Sequence, residues 1–253
     1  MPETAIVVIA LALAGFVHSA TGFGSALVGM PLLAMALGTA TAAPVLAISS
    51  QVVNFAVLWQ YWRALHFREA ARLIAISVLG IPAGLALLRY GNEVLITGLL
   101  GVVLIGYAGY AILLEPRLNA RRADAAERRY ENDSRRVRWG SAAAALIAGV
   151  LGGAYNANGP PLIIYGAIRR WPKERFKSML QSFFIVNGLF IVAGHAAAGL
   201  ITTSVLWHCA YSMPAVLIGM GLGFVVDRRL DARRFRSVVL AMILVLGVAL
   251  VVF

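Results

Sequence analysis

Long stretches of apolar residues, separated by charged or small polar ones, follow one another along the chain. We delimit ten stretches, and each predicts a helix. Two of them, 25–37 and 160–168, are too short to cross about 30 Å of hydrocarbon at about 1.5 Å per residue. The pattern therefore predicts an all-α polytopic membrane protein. The ten stretches are 4–20, 25–37, 41–61, 71–88, 94–114, 141–154, 160–168, 179–198, 203–226 and 238–253.

Both short stretches follow an apolar stretch that small and polar residues interrupt. The first interruption runs from Gly15 to Ser25, and the second runs from Gly149 to Pro161. Backbone that leaves the helical conformation within a bilayer is tolerated only where protein surrounds it or where it lines a water-filled cavity. We therefore predict, in each half of the chain, a broken or re-entrant helix pair followed by three transmembrane helices.

The low content of charged residues excludes a soluble protein. Apolar residues make up 60% of the chain and charged residues 13%, whereas soluble domains carry about 25% charged residues. The net charge of +11 does not indicate nucleic-acid binding, because a soluble basic domain would not be this apolar. Of the 22 Lys and Arg residues, all except Arg89 lie in four segments, which are 63–72, 117–138, 169–177 and 228–236.

The four basic segments predict an orientation, because cytoplasmic segments of membrane proteins are enriched in Lys and Arg. All four can be cytoplasmic only if each broken pair returns to the side from which it enters. Both termini are then outside the cytoplasm, and residues 115–138 form an Arg-rich cytoplasmic linker. Residues 1–114 and 139–253 become two membrane repeats of inverted topology. Because no Lys or Arg precedes the first apolar stretch, we interpret it as a mature segment and not a signal peptide.

The two predicted repeats also show weak similarity to each other. Shifts of 133 to 139 residues superpose glycines and an asparagine of the first half on those of the second. The change in shift along the chain requires a small insertion. The superposed pairs are Gly15 with Gly149 at a shift of 134, Asn54 with Asn187 at 133, and Gly80 with Gly219 and Gly84 with Gly223 at 139.

Each interruption is followed by the start of a short helix, which is a candidate anion site. The first N–H groups of a helix have no partner within it, and the helix dipole is positive at that end. Two such starts that meet near the middle of the membrane would bind an anion without a buried Lys or Arg. All 11 Asp and Glu residues lie at the ends of apolar stretches or in the linker. Since carriers coupled to protons or cations usually have carboxylates within the membrane, we predict a small anionic substrate.

Polar side chains and glycines near the two interruptions are the candidate ligand contacts. Hydroxyl and amide groups donate hydrogen bonds to an anion, and glycine lets the backbone approach it closely. Each type has an alternative role: glycines permit tight helix packing, Asn and Gln hydrogen-bond between helices, and His18 can serve carbonyls freed by the break. The candidates are His18, Thr21, Gly22, Gly24, Ser25, Gln51, Asn54, Tyr155, Asn156, Asn158, Gly159 and Asn187.

Enzymatic chemistry is not indicated by these residues. The single cysteine, Cys209, excludes an intramolecular disulfide and a site with several cysteine ligands for a metal. Ser19 and His18 are the one Ser–His combination near an interruption, but adjacent residues on a helix do not face each other. We therefore expect no enzyme activity, no cofactor and no metal.

The residues at the two interruptions resemble the signatures of a known family. The first signature reads Gly15-x3-Ser19-x2-Gly22-Phe23-Gly24-Ser25, and Pro31-Leu32-Leu33 follows. The second reads Gly149-x2-Gly152-Gly153 and Asn158-Gly159-Pro160-Pro161, and Lys173-x-Arg175-Phe176 follows. Together they resemble the sulfite exporter family of the TauE/SafE type, and the similarity covers nearly the whole chain.

The resemblance implies a multi-pass permease of the bacterial inner membrane that exports sulfite, an organosulfonate or a related sulfur oxyanion. The chain departs from the family pattern where the family often has further glycines, at Ser25-Ala26, Asn156 and Asn158. These positions are expected ligand contacts, so the identity of the anion stays open. The alternative is an anion channel, or an uptake permease for sulfate, thiosulfate or a carboxylate, on the same scaffold. Whether the chain forms a homodimer also stays open.

Overall fold

The computed structural model describes residues 2–23, 25–114, 135–169, 171–229 and 232–252. These residues are almost entirely helical and include no strand. A 3₁₀ turn at Trp62–Ala64 follows the third helix, and a π-helical turn at Tyr110–Leu114 follows the fifth. The α-helices are α1 (Pro2–Thr21), α2 (Ser25–Leu37), α3 (Thr39–Tyr61), α4 (Phe67–Tyr90), α5 (Glu93–Gly109), α6 (Arg135–Tyr155), α7 (Gly159–Ile168), α8 (Lys173–Ala197), α9 (Thr203–Arg229) and α10 (Ala232–Val252).

Each predicted stretch corresponds to one of these helices, so the all-α prediction is confirmed. Six helices of the described chain, namely α1, α3, α4, α5, α8 and α9, are long and apolar enough to cross a membrane. The sequence pattern predicts eight long segments, and the two that are not among these six helices are α6 and α10. Both are long helices, but their apolar parts are only Trp139–Tyr155 and Leu240–Val252. Each begins with arginine-rich turns, which shorten the part that suits hydrocarbon.

The surface and the interior have the polarity expected of a protein in a bilayer. Large apolar side chains cover much of the outside, and Trp59 and Tyr90 are 82% and 78% exposed. Trp62 and Trp139 lie beside the basic segments, and both are exposed. Such aromatic rings are enriched where the hydrocarbon meets the headgroups. Polar side chains lie inside, where His, Ser, Asn and Gln residues are buried among the helices.

The helices pack in pairs that relate the two halves of the chain. Helix α1 packs along α9, α4 along α6, α5 along α10, and α3 along α8. Exchanging α1 to α5 with α6 to α10, in order, converts this set of pairs into itself. The pairing is what an internal duplication predicts. The inverted orientation of the two repeats in the membrane, and the cytoplasmic linker, stay predictions, since residues 115–134 lie outside the described part of the chain.

Glycine contacts repeat this correspondence at the level of single atoms. A Cβ added to Gly84 would lie 2.1 Å from the carbonyl oxygen of Val150, and one added to Gly223 would lie 2.3 Å from that of Phe16. The shift of 139 residues takes Gly84 to Gly223, and the shift of 134 takes Phe16 to Val150. Gly80 against Leu146 and Gly219 against Ala12 repeat the relation. These glycines therefore serve close helix packing.

Helix α9 offers a matched pair of glycines that tests this packing. Gly223→Ala is expected to lower the free energy of unfolding by about 1–3 kcal/mol, because the new Cβ would overlap atoms of α1 that cannot withdraw. Gly221→Ala is the control, since nothing lies within 4 Å of a Cβ at that position. Thermal unfolding of the purified protein in detergent measures the difference. An equal loss of stability in the two variants would contradict close packing of α1 on α9.

Candidate functional site

The first break separates α1 from α2 and is held by hydrogen bonds within the chain. Gly22 has a φ of 82°, in the left-handed region that favours glycine. Its N–H donates to the carbonyl of His18 at 2.7 Å. The Thr21 hydroxyl donates to the carbonyl of Val17 at 2.7 Å and accepts from the N–H of Phe23 at 3.2 Å. Thr21 therefore satisfies the backbone of the break, and the predicted contact Gly24 lies outside the described residues.

The second break separates α6 from α7 and uses a different residue for the same bend. Asn156 has a φ of 55° and is the one described residue other than glycine with a positive φ. Asparagine tolerates this conformation better than most residues. The N–H of Asn156 donates to the carbonyl of Gly152 at 2.8 Å, and that of Ala157 to the carbonyl of Leu151 at 3.2 Å. The turn thus keeps an amide side chain where the first break has none.

The two breaks meet at one cavity. Helix α2 begins at its edge on one side, and α7 begins at its edge on the other. The cavity holds about 350 Å³ of space, including its open side. Its described lining contains no Asp, Glu, Lys or Arg. The lining residues are His18, Ser25, Ala26, Leu27, Ser50, Asn54, Asn156, Ala157, Asn158, Gly159, Pro160 and Phe184.

The starts of α2 and α7 differ in what they present to the cavity. Helix α2 begins with Ser25, and its first residues carry N–H groups that have no partner inside the helix. In α7 the second and third residues are Pro160 and Pro161, which have no N–H to donate. The dipole of α7 remains, but backbone donors are few. The side chains of Asn156 and Asn158, which are 8% and 6% exposed, supply amide groups at that side.

A chain of hydrogen bonds joins the first break to α8. The Nδ1 atom of His18 lies 3.0 Å from the Ser25 hydroxyl, and its Nε2 atom lies 3.1 Å from Oε1 of Gln181. The Gln181 amide nitrogen donates to the carbonyl of Gly22 at 2.7 Å. The His18 ring also packs edge-to-face on Phe184, with centroids 5.9 Å apart. The imidazole is therefore held on three sides, and it lines the cavity.

Asn54 and Asn187, which the internal similarity superposes, lie in different surroundings. Asn54 lines the cavity, is 3% exposed, and its Oδ1 atom has no hydrogen-bond partner. Asn187 lies outside the lining, accepts from the Ser77 hydroxyl at 2.8 Å and donates to the carbonyl of Phe183 at 3.1 Å. An unpaired buried polar atom costs about 1–3 kcal/mol. The unpaired Oδ1 atom of Asn54 therefore indicates a partner in the cavity, and turning the amide by 180° brings its donor nitrogen to the same place for an anion.

Two further candidates from the sequence lie away from the cavity lining. Gln51 packs on α8, where a Cβ added to Gly188 would lie 1.7 Å from its amide nitrogen. Tyr155 is 1% exposed, and its hydroxyl has no partner. Neither side chain is brought to the cavity. In contrast, Ser50 and Phe184 line it without having been predicted, and Ser50 accepts a hydrogen bond from Asn156 at 3.3 Å.

A buried ion pair lies next to the first break. Lys177 is 3% exposed, and its Nζ atom lies 2.7 Å from a carboxylate oxygen of Asp227. It also lies 5.0 Å from the ring centroid of Tyr61. Its aliphatic part covers Gly22, where a Cβ would lie 2.9 Å from Lys177 Cγ. The sequence pattern begins the apolar stretch only at residue 179, but α8 begins at Lys173 and is already buried at Lys177 and Ser178.

Lys177, Gln181 and Phe184 follow one another at helical spacing on α8 and all face the first break. Lys177 covers Gly22, Gln181 binds its carbonyl, and Phe184 packs on His18. Residues three and four apart share a helix face, so this spacing was visible in the sequence. What marks it as functional is the contact with His18, which lies far away along the chain.

The two asparagines permit a paired test of the cavity. Asn54→Ala is expected to weaken the binding of a small oxyanion in the cavity at least about tenfold, because it removes a polar group that lines the cavity. Its effect on stability should be small, since no hydrogen bond within the protein is lost at Oδ1. Asn187→Ala should lower stability by about 1 kcal/mol through the lost Ser77 bond and leave affinity nearly unchanged.

Isothermal titration calorimetry and thermal unfolding in detergent measure these two properties. Normal affinity with reduced stability in Asn54→Ala, together with weakened affinity in Asn187→Ala, would show that the ligand does not lie beside Asn54.

Comparison with known proteins places the chain in a family. A search of curated proteins and a search of solved structures gave no match. A family model described as sulfite exporter TauE/SafE matches residues 7–250. This range covers nearly the whole chain and includes both breaks and every described residue that lines the cavity. The chain therefore belongs to the sulfite exporter TauE/SafE family, which is a family of membrane transporters.

Proposed function

We propose that this protein is a secondary transporter that exports a small sulfur-containing oxyanion, such as sulfite or an organosulfonate, across the bacterial inner membrane. The observation that carries the proposal is the cavity between the two breaks. Two helix starts, three asparagine side chains and the Ser25 hydroxyl surround it. An anion is held there by dipoles and hydrogen bonds and not by a Lys or Arg side chain.

The polarity of the lining favours an anion over a cation. A cation in a membrane protein is usually bound by carboxylates or by several carbonyl oxygens, and the described lining has no carboxylate. The positive ends of two helix dipoles would repel a cation from the same space. An oxyanion of pyramidal or tetrahedral shape has oxygens in several directions. These suit donors that approach from α2, from the Asn side chains and from α3.

Binding without a permanently charged side chain also suits a transporter, because the substrate must leave again. A fixed Lys or Arg in the cavity would hold the anion strongly in a medium of low dielectric constant. Helix starts and amides give weaker binding that is distributed over several contacts. The membrane potential favours release to the outside of any substrate that crosses with net negative charge, by about 2.3 kcal/mol per charge per 100 mV.

The packing supports alternating access. Helices α1 and α9 form one closely packed pair, and α4 and α6 form another. The cavity lies at the end of α1 and at the end of α6, so each pair contributes one break. Movement of one pair against the other would open the cavity to one side at a time. In this arrangement both termini are outside and residues 115–138 are cytoplasmic, as the basic segments predict.

Flux of sulfite and of methanesulfonate into liposomes containing the purified protein tests the proposal. Saturable flux of at least one of these anions is expected. Asn158→Ala should raise the KM about tenfold, because it removes an amide donor at the start of α7. Asn92→Ala is the matched control, since Asn92 caps α5 through the N–H of Val94 at 2.9 Å, far from the cavity.

Two results would contradict the proposal. Normal transport by Asn158→Ala would remove the second break from the binding site. Non-saturating flux with single-channel currents would identify an anion channel in place of a carrier.

A further inference from the structure

The hydrogen bonds around His18 determine which of its nitrogens carries hydrogen. The carbonyl of Gly22 can only accept, so the Gln181 amide must turn its nitrogen toward it, at 2.7 Å. The amide oxygen of Gln181 then faces Nε2 of His18 at 3.1 Å. An amide oxygen also only accepts. Nε2 therefore carries the hydrogen, and the neutral ring has Nδ1 as an acceptor.

This tautomer determines what Ser25 presents to the cavity. An acceptor at Nδ1 requires that the Ser25 hydroxyl donate to it across the 3.0 Å contact. The oxygen of Ser25 then offers only lone pairs to the cavity, and lone pairs repel an anion. While the ring is neutral, the Ser25 hydroxyl at the start of α2 therefore cannot donate a hydrogen bond to a ligand in the cavity.

Protonation of the ring at Nδ1 reverses this arrangement. Nδ1–H then donates to the Ser25 oxygen, and the hydroxyl hydrogen becomes free to donate to a ligand in the cavity. The imidazolium adds a positive charge at the cavity wall. Gln181 keeps both of its hydrogen bonds, because Nε2 carries hydrogen in either state.

We propose that anion binding in this cavity is coupled to the uptake of one proton at Nδ1 of His18, with Gln181 as the positioning residue that fixes the tautomer. The proposal rests on the proposed function, because it assigns a coupled ion to the same site. One proton cancels one charge of the anion. Doubly charged sulfite therefore still crosses with one net negative charge, whereas a sulfonate crosses without net charge.

The charged and titratable groups around His18 come from the helices that pack near it. Lys177 of α8 is the charged residue that acts on the ring, and it is paired with Asp227 of α9. The sequence of α2 contains no titratable side chain, and that of α3 contains only Tyr61. From the second half, Tyr155 lies at the end of α6. A pH effect on binding that disappears in His18→Gln therefore reports on His18.

Nitrogen NMR of the protein labelled with ¹⁵N-histidine tests the tautomer directly. His18→Gln identifies the His18 signals by their loss. Without ligand, near neutral pH, one protonated and one unprotonated nitrogen are expected, with the hydrogen on Nε2. Saturating methanesulfonate should protonate both. A hydrogen on Nδ1 in the free protein would overturn the proposal without affecting the proposed function.

Calorimetry with methanesulfonate, which keeps one charge over the whole range, tests the coupling. Between pH 5.5 and 8.5 the affinity should fall about tenfold per pH unit wherever His18 is neutral in the free protein, and binding should take up one proton. The slope should vanish in His18→Gln. It should persist in His208→Gln, whose ring bonds Ser204 at 3.2 Å outside the cavity. In Gln181→Glu, a carboxylate beside Nε2 should extend tight binding to higher pH.

The outcomes separate the two proposals. Affinity that does not change with pH, or a slope that persists in His18→Gln, overturns the coupling and leaves the transporter assignment intact. No binding and no flux of methanesulfonate or sulfite at any pH overturns the proposed function, and the coupling with it.

Discussion

A helix that is broken inside hydrocarbon exposes backbone polar groups, and the protein must supply partners for them. At the first break the Thr21 hydroxyl hydrogen-bonds to backbone groups of the turn, and the Gln181 amide donates to the carbonyl of Gly22. The groups that remain at the start of α2 face the cavity. The same requirement that makes the break costly therefore also creates the site. It also brings α8, which belongs to the other half of the chain, into contact with the first break, so neither half can form the site alone.

The glycine contacts explain how the two helix pairs that carry the breaks are held together. Backbones of α1 and α9, and of α4 and α6, approach each other so closely that a methyl group would overlap. Association of helices in lipid depends on such packing, since hydrocarbon provides little hydrophobic driving force. Two closely packed pairs thus carry the breaks, and single hydrogen bonds join them to α3 and α8. The two halves use corresponding glycines for close packing and different side chains around the cavity.

Much of the fold was predictable from the sequence, and much of the site was not. Helices and breaks are local properties, because apolar length and clustered small residues determine them. The direction in which a side chain points is not a local property, because it depends on how the helices are rotated against one another. Asn54 and Asn187 are indistinguishable in sequence, and only the rotation of α3 and α8 directs one to the cavity and the other to Ser77. In the sequence Lys177 belongs to a basic segment. Its partner Asp227 is 50 residues away, so the burial of Lys177 could not be inferred.

The two prolines at the start of α7 have a consequence for how this protein changes over evolutionary time. Backbone N–H groups are the same whatever the side chain, so a ligand held by them is insensitive to most single mutations. At α7, Pro160 and Pro161 have removed such groups, and the task falls on Asn156 and Asn158. A single codon change can alter either of these. Under the proposed function, mutation at the second break is therefore expected to alter selectivity most readily, while the first break preserves the general preference for anions.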